Sequence, residues 1–444
     1  MSKPITAEQL SQWNDAWKAR PERRLAALAL SKTELMDVAF SQQGANAMHP
    51  RFSVEIPTLP VTNQEATGRC WLFSATNVIR EAIAKELNLE NFELSQSWLA
   101  FWDKFERANY MLERLIETAE LPADDRLVSF VLQTGVHDGG QWTMFVNIVE
   151  KYGLVPKDAF DETWQSSHSR SMNYLVNRAL KAAAPKLRAL VRAGAPEAEI
   201  QALKNRVLEQ IFGFLCTCYG EPPRTFDLEY TDKDKVFHAE RGLTPKAFAE
   251  RWAKPLLDAA VSVIHAPTAD KPYHKTYTIK FLGNVEGGRP VVHLNLTMDE
   301  MKAAIIRQLQ DGQVVWFGSD VGHQGERKLG LWDDGSFGLE LLSGLDLAIS
   351  KADALDYGFA AMNHAMVLTG VNLDENGRPN RWKIENSWGD KNGEKGYYIC
   401  SDSWFDQYVF QAAIDRKYLG ELADLAALPP VELAPWDPMG TLAD

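Results

Sequence analysis

Three short segments, far apart in the chain, together supply the parts of a cysteine nucleophile and its base. The first contains Gln64 and Cys70, the second His364 and the third Asn386. A thiol attacks a carbonyl carbon as the thiolate, which needs a positive environment such as a helix amino terminus or an imidazolium partner. The combination predicts an enzyme that acts through a covalent thioester.

Each of the four residues has a predicted role. Apolar side chains recur at intervals of three and four over residues 71–87, which predicts a helix that starts at Cys70, where the macrodipole favours an anion. His364 is the base, and Asn386 hydrogen-bonds its second ring nitrogen and fixes the tautomer. The side-chain amide of Gln64 donates to the oxyanion beside the backbone N–H of Cys70.

Each residue also has a plainer interpretation when it is taken alone. An isolated cysteine is most often a small buried apolar residue, and this is how we interpret the cysteines at positions 216, 218 and 400. His364 precedes the apolar run 365–371, where a histidine is usually a satisfied core residue. The segment at Asn386 is also typical of a turn after a strand. The joint occurrence of the parts favours the catalytic interpretation.

The segments around these residues resemble those of a known family. Residues 64–71, 363–365 and 385–389 are similar to the papain-like cysteine peptidases. Further segments resemble the branch that contains bleomycin hydrolase and bacterial aminopeptidase C, namely residues 92–97, 138–142, 315–318, 328–330 and 435–440. The resemblance extends from about residue 50 to the end of the chain.

This resemblance implies an α+β, papain-like fold with the active site between a helical half and a β half. The interval between Cys70 and His364 is about twice that of papain-like enzymes, which indicates a large insertion. Periodic runs predict that the insertion is mainly helical. The predicted helices are residues 95–120, 170–194, 196–215 and 298–310, and the predicted strands are residues 276–282, 314–318, 365–371, 381–385 and 396–400.

The predicted organisation has five parts in chain order. They are an N-terminal helical lead segment (1–49), the nucleophile-bearing helical half (50–91), the remainder of that half with the large helical insertion (92–272), the β half that carries His364 and Asn386 (273–428) and an extended C-terminal arm (429–444).

The C-terminal arm carries the specificity hypothesis. Its four prolines exclude a regular helix, yet it contains three apolar side chains, at positions 436, 439 and 442. A frayed tail is the alternative interpretation. In the resembled branch the arm lies in the cleft, and the terminal carboxylate pairs with the α-ammonium group of the substrate. The carboxylate belongs to Asp444, or to Ala443 if the chain is trimmed, and the sequence does not decide between them.

Other residues are expected around the cleft. Glycines let an extended substrate backbone pair with the cleft wall. The expected set comprises Gly139 and Gly140 as that wall, Asn363 as a backbone contact to substrate, Trp71 as a supporting residue and Trp388 as a cover over the Asn386 side chain.

Composition bounds the partners. A formal net charge of −13 argues against general nucleic-acid binding, which needs clustered Lys and Arg. Four cysteines give no disulfide framework, and neither a signal segment nor an apolar run of the ~18 residues that span a bilayer is found, so we expect a cytoplasmic protein with no membrane partner. The nine histidines lack paired metal spacing, so no metal or organic cofactor is expected.

The sequence therefore predicts a cytosolic cysteine aminopeptidase that acts on peptides with free amino termini. The resemblance also implies a barrel-shaped homohexamer, and bleomycin-type amide or thiolactone hydrolysis as a side activity. Two alternatives stay open. If the arm does not occupy the cleft, the same site makes an endopeptidase; if the thiol is not activated, the chain is a noncatalytic ring-shaped binding scaffold.

Overall fold

The computed structural model describes residues 3–444, so the first two residues of the predicted lead segment lie outside the described residues. The helices are α1 (Ala7–Lys18), α2 (Pro21–Leu30), α3 (Leu35–Ala39), α4 (Gln42–Ala47), α5 (Cys70–Glu86), α6 (Gln96–Glu117), α7 (Arg126–Thr134), α8 (Trp142–Tyr152), α9 (Trp164–Ser167), α10 (Arg170–Arg192), α11 (Glu197–Tyr219), α12 (Pro245–Trp252), α13 (Lys254–Ala259), α14 (Met298–Gln310), α15 (Leu339–Ser343), α16 (Lys351–Asp356) and α17 (Asp402–Tyr408). The strands are β1 (Val54–Glu55), β2 (Phe226–Thr231), β3 (Phe237–Leu243), β4 (Ala260–Ile264), β5 (Lys275–Ile279), β6 (His293–Asn295), β7 (Val315–Ser319), β8 (Gly325–Glu326), β9 (Leu331–Trp332), β10 (His364–Leu373), β11 (Pro379–Glu385), β12 (Tyr397–Ser401), β13 (Val409–Asp415) and β14 (Val431–Leu433).

One large sheet organises the second half of the chain. Its order is β14-β5-β6-β4-β13-β7-β10-β11-β12-β9-β8, and β1 pairs with the far end of β10. Strands β7, β10, β11 and β12 are antiparallel neighbours. The first eight residues of β10 are buried, because helices α5 and α14 both pack on this strand. The predicted α+β class is confirmed.

The helical part is built around α5. Thirteen of its seventeen residues are buried, including its first eleven, so it runs through the core with little amphipathic character. Helices α6, α10 and α11 pack against one another and form most of the predicted insertion. The insertion also contains the β2–β3 hairpin, a two-stranded sheet of its own.

The sheet begins earlier in the chain than the sequence patterns predict. Strand β4 pairs with β13 and β6, although the predicted strands start after residue 273. It is five residues long and follows directly on α13, so its apolar run reads equally well as the end of a buried helix. Strands β13 and β14 are likewise additions to the predicted set.

Helices α1 to α4 lie in the N-terminal segment, and α1 packs loosely. A capping box between Thr6 and Gln9 opens α1, and none of the residues of α1 is buried. Helix α2 is attached to α15 by Arg23, which donates to the carbonyl oxygens of Leu341 (3.2 Å) and Leu342 (2.7 Å). Across the described residues, no helix is both long enough and apolar enough to cross a membrane.

Candidate active site

Cys70 is the first residue of α5 and is fully buried. The preceding residue, Arg69, fixes this start: its guanidinium donates to both carboxylate oxygens of Glu162 at 3.0 and 3.1 Å, and its carbonyl accepts the N–H of Leu72. The N–H groups of Cys70 and Trp71 are therefore in the first turn, where backbone donors have no helical acceptor. These N–H groups lie at the amino-terminal end of α5, where the helix dipole stabilises a negative charge.

His364 and Asn386 come together from two neighbouring strands. His364 opens β10, and Asn386 follows the last residue of β11. His364 Nε2 lies 2.9 Å from Asn386 Oδ1, and both side chains are buried. The indole of Trp388 stacks on the imidazole with a centroid distance of 4.7 Å. This bond and this stacking fix the ring and leave Nδ1 for a reacting partner.

Trp388 therefore covers the imidazole. Arg327 in turn lies over the outer face of the indole, with Cζ 4.8 Å from the ring centroid. The amide nitrogen Nδ2 of Asn386 has no hydrogen-bond partner among the described residues. The indole of Trp388 thus covers His364, and its role as a cover over the Asn386 side chain stays a prediction.

Gln64 is buried between the two halves of the site. Its Nε2 donates to Thr67 O at 2.6 Å, and its Oε1 accepts from Ser387 Oγ at 2.7 Å. A primary amide carries two hydrogens, so one remains for another acceptor. The Ser387 bond orients the amide so that nitrogen, not oxygen, faces the loop before Cys70. Its role toward an oxyanion stays a prediction.

The electrostatics of the nucleophile differ from the expected activated thiol. Burial, together with the carboxylate of Asp444, raises the pKa of the Cys70 thiol to about 12, against the backbone N–H groups of Ala365 and Trp71. Burial lowers the pKa of His364 to about 4, although its bond to Asn386 opposes this. In this closed arrangement the thiol and the imidazole are both neutral.

The end of the chain closes the site. The N–H of Gly140 donates to Ala443 O (2.9 Å), and the N–H of Ala443 donates to Gly140 O (3.0 Å). One residue further, the N–H of Asp444 donates to Asn363 O at 3.0 Å. The last two residues thus pair with the cleft wall through their backbones, as an extended peptide would.

Two glycines make room for this last residue. A Cβ on Gly68 would lie 1.6 Å from Asp444 Oδ1, and a Cβ on Gly139 would lie 2.9 Å from Asp444 Cβ. Gly140 has a different neighbour, since a Cβ there would lie 2.3 Å from the Trp71 indole. The space beside Cys70 is therefore shaped by missing side chains and is filled by Asp444.

A buried carboxylate, Asp138, supports this wall. It accepts the N–H of Gly68 (3.2 Å) and bonds with Lys104 and Ser169, while its carbonyl accepts Trp71 Nε1 (2.7 Å). Burial alone would raise the pKa of Asp138, but the Lys104 ammonium holds it well below its usual range. Asp138 thus connects the loop before Cys70 to the glycine wall.

On the side of the cleft formed by Asn363, a second buried carboxylate, Asp320, also fixes the backbone. Asp320 Oδ1 accepts from Asn363 Nδ2 (2.6 Å) and from the N–H of Gly322 (2.9 Å). Asn363 Oδ1 accepts the N–H of Val321 at 3.0 Å. These bonds continue the β7–β10 pairing beyond its end, so the carbonyl of Asn363 is presented rigidly to the cleft.

Lys104 and Asp320 are the supporting residues that sequence reasoning missed. A lysine inside a helix whose neighbours Phe101 and Ala108 are buried apolar residues is a signal, because a lysine is rarely buried unless it is paired. Its partner lies in another segment, so the sequence gives no indication of which carboxylate it meets. The described residues contain no cluster of three or more His, Cys, Asp or Glu side chains arranged to hold a metal ion.

Comparison with known proteins agrees with this geometry. Residues 4–440 match the model of the Peptidase C1-like family. The chain is 46% identical to aminopeptidase C of Lactobacillus delbrueckii subsp. lactis, over 100% of this chain and 99% of that protein. It is 43% identical to aminopeptidase C of Listeria monocytogenes serovar 1/2a, over 100% of both.

A solved structure is similar throughout its length. The crystal structure of PepW from Lactobacillus rhamnosis HN001 superposes with a TM-score of 0.97 at 45% identity, and the match covers 100% of both chains. The predicted relationship is thereby confirmed. The chain belongs to the Peptidase C1-like family, in the aminopeptidase C branch of the papain-like cysteine peptidases.

Proposed function

We propose that this chain is a cysteine aminopeptidase that removes residues from the free amino termini of peptides. The single observation that carries the proposal is the backbone pairing of Ala443 and Asp444 with Gly140 and Asn363. The chain's own end occupies the place of an extended peptide beside Cys70, so it limits how far a substrate can extend into the cleft.

The chemistry follows from the positions of four side chains. Cys70 attacks the scissile carbonyl and transfers its proton to His364, which then protonates the leaving amine. The N–H of Cys70 and the free hydrogen of Gln64 hold the oxyanion. Water, deprotonated by His364, hydrolyses the thioester and regenerates the thiol. Asn386 keeps Nδ1 of His364 directed at the reacting atoms.

The arm supplies the specificity. Asp444 fills the space between Gly68 and Gly139, which the first residue of a substrate must enter. Hydrolysis of the peptide bond between Ala443 and Asp444 removes Asp444, frees this space and gives Ala443 an α-carboxylate one residue back from Cys70. That carboxylate then faces the α-ammonium group of the substrate and forms a charge-assisted hydrogen bond with it. Ala443 and Asp444 are thus substrate-binding residues in two different states of the arm.

A fluorogenic peptide series with free and acetylated amino termini tests the proposal. We expect kcat/KM for the free series to exceed that for the acetylated series by on the order of 100-fold, because acetylation removes the charge that pairs with the arm. Equal cleavage of both series would identify an endopeptidase instead. Turnover of neither series would favour the noncatalytic scaffold.

We also propose a homohexamer. Exposed apolar side chains support it. Helices α1 and α2 expose Trp13, Trp17 and Leu28, and the segment 339–357 exposes Leu341 and Tyr357, with 84% and 83% of their residue surface accessible. Apolar side chains exposed to water are costly where they cluster, and protein–protein interfaces cover them. Light scattering should give about six times the chain mass of 49.9 kDa. A monomer at micromolar concentration would contradict it.

The proposal also includes a location in the cell and a side activity. The four cysteines are free thiols, which agrees with a cytoplasmic location. Acyl transfer at the same thiol supports bleomycin-type amide hydrolysis and thiolactone hydrolysis, since both reactions pass through a tetrahedral oxyanion and an acyl-enzyme. The net charge of −13 argues against nucleic acid as a partner.

A further inference from the structure

A buried acidic side chain, Glu385, lies directly before Asn386 and has no part in the mechanism so far. It is the last residue of β11 and pairs across the sheet with Val367 and Tyr397. Its side chain is 1% exposed. Its Oε2 atom has no hydrogen-bond partner among the described residues. Burying an ionised carboxylate costs free energy unless hydrogen bonds or an opposite charge compensate for the lost hydration.

The partners of Glu385 belong to the helix of the nucleophile. Oε1 accepts from Asn77 Nδ2 at 2.7 Å and from Arg80 Nη2 at 2.9 Å. Both donors are on α5, which begins at Cys70. Arg80 Nη2 also donates to Pro60 O at 2.8 Å. One carboxylate oxygen therefore connects the helix of the nucleophile to the strand that ends at Asn386.

The same network reaches the other side of Asn386. Asn77 Nδ2 donates to Thr62 Oγ1 at 3.0 Å, and the carbonyl of Thr62 accepts the N–H of Gly389 at 3.0 Å. The N–H of Gln64 donates to Ser387 O at 2.8 Å. The triad amide is thus held from both flanks by groups that are bonded directly or indirectly to α5.

We propose that the ionised carboxylate of Glu385 is a positioning residue, which sets the His364–Asn386 pair relative to Cys70, and that its titration modulates activity. The inference rests on the proposed peptidase function. Charge-assisted hydrogen bonds are shorter and about twice as strong as neutral ones, so loss of the charge loosens the contact between α5 and β11. A displacement of about 1 Å at a catalytic group is enough to lower a rate considerably.

The groups that face Glu385 determine when it is ionised. Burial, together with the carboxylate of Glu81 on α5, raises the pKa of Glu385 to about 7. Arg80, also on α5, and the hydroxyl of Thr58 act in the opposite direction. Tyr397 on β12 faces it as a neutral phenol, since burial raises the pKa of Tyr397 to about 12. Glu385 is therefore protonated in mild acid and ionised above neutrality.

Three variants test this through the pH profile of kcat/KM. E385Q keeps the shape but not the charge, so we expect wild-type activity at about pH 5.5 and an about fivefold lower value at about pH 8.5. Glu81→Gln removes a like charge and so lowers the pKa of Glu385. The acid limb, which is the part of the profile where kcat/KM rises with pH, therefore moves to lower pH. Thr58→Val removes a hydroxyl that lowers the pKa of Glu385, so it moves the limb to higher pH. Glu86→Gln, on the exposed end of α5, is the matched control and leaves the profile unchanged.

The opposite shifts distinguish positioning from a merely structural role. An identical acid limb in wild type and all three variants would overturn the proposal.

Thermal melting against pH gives a readout that needs no substrate. Because the folded pKa of Glu385 is above the ordinary carboxyl value of 4.5, its contribution to stability is fully present below pH 4.5 and is lost as pH rises from there through about 7. We expect the wild-type melting temperature to fall through this range relative to that of E385Q.

The melting curves also separate this proposal from the peptidase proposal. If no peptide is cleaved at any pH but the melting curves of wild type and E385Q diverge through neutrality, the peptidase proposal fails while Glu385 remains a titrating contact of α5. If peptides are cleaved and neither the profiles nor the melting curves differ, Glu385 is not ionised in this range and the positioning proposal is wrong.

Discussion

Cys70→Ala will abolish hydrolysis of peptides with free amino termini, and kcat will fall by at least about 10⁴-fold. The thiol is the atom that forms the covalent intermediate, and His364 and Asn386 have no other nucleophile to activate. Cys70 is fully buried at the start of α5, and its neighbour Ala365 is buried as well, so alanine fits without a clash. The measurement is steady-state turnover of an aminoacyl fluorogenic substrate.

Cys218→Ala is the matched control for this variant. It makes the same change at a buried cysteine of α11, outside the site, and we expect turnover within about twofold of wild type. Both variants should melt cooperatively, which separates a lost nucleophile from a lost fold. Appreciable turnover by a correctly folded Cys70→Ala protein would show that another group carries the reaction.

The nucleophile, base and amide could be predicted because each carries a local signal. Cys70 stands directly before a long run of apolar residues, which predicts a buried helix whatever the partners of that helix are. His364 opens β10, whose apolar content is high, and Asn386 follows β11, in which apolar Trp382 and Ile384 alternate with polar residues. Antiparallel neighbours bring such ends together, so the pair is a consequence of strand order as well as of residue type.

The supports of the site could not be predicted in the same way. Asp138 accepts from Gly68 and Lys104, and Glu385 accepts from Asn77 and Arg80, but these pairs are far apart in the chain. Hydrophobic periodicity reports which face of an element is buried and says nothing about which charges meet there. Strand β4 was not predicted for a related reason, because its place in the sheet depends on pairing with β13, which is distant in the chain.

The neutral state of the thiol could not be predicted either. A helix amino terminus and a histidine favour a thiolate, but burial and the Asp444 carboxylate together raise the pKa of Cys70 to about 12. The arm therefore has two effects on the nucleophile, since it fills the space beside the thiol and it suppresses its ionisation. Activation of the thiol and admission of substrate depend on the same residue.

Shortening the arm will change both rate and specificity. A chain that ends at Ala443 should cleave free peptides about tenfold faster than a full chain whose intact mass shows that Asp444 is retained, because the space between Gly68 and Gly139 is vacated. The same truncation removes a carboxylate beside the thiol, so Cys70 should be alkylated at lower pH. Equal rates for the two chains would show that Asp444 does not obstruct the site.

A chain that ends at Gly440 loses the pairing with Gly140 as well. Because the terminal carboxylate then belongs to Gly440, three residues before Ala443, it is out of place to bind the substrate's α-ammonium group. The preference for free over acetylated amino termini should therefore fall on the order of 100-fold, and internal bonds should be cleaved. Asp444→Asn keeps the length of the arm and its α-carboxylate, so it is the matched control and should retain the exopeptidase preference. If the shortened chain still rejects acetylated peptides, the cleft is closed by its walls and not by the arm. The discrimination would then belong to the cleft walls at Gly140 and Asn363, whose carbonyls accept the N–H groups of Ala443 and Asp444 in the full chain.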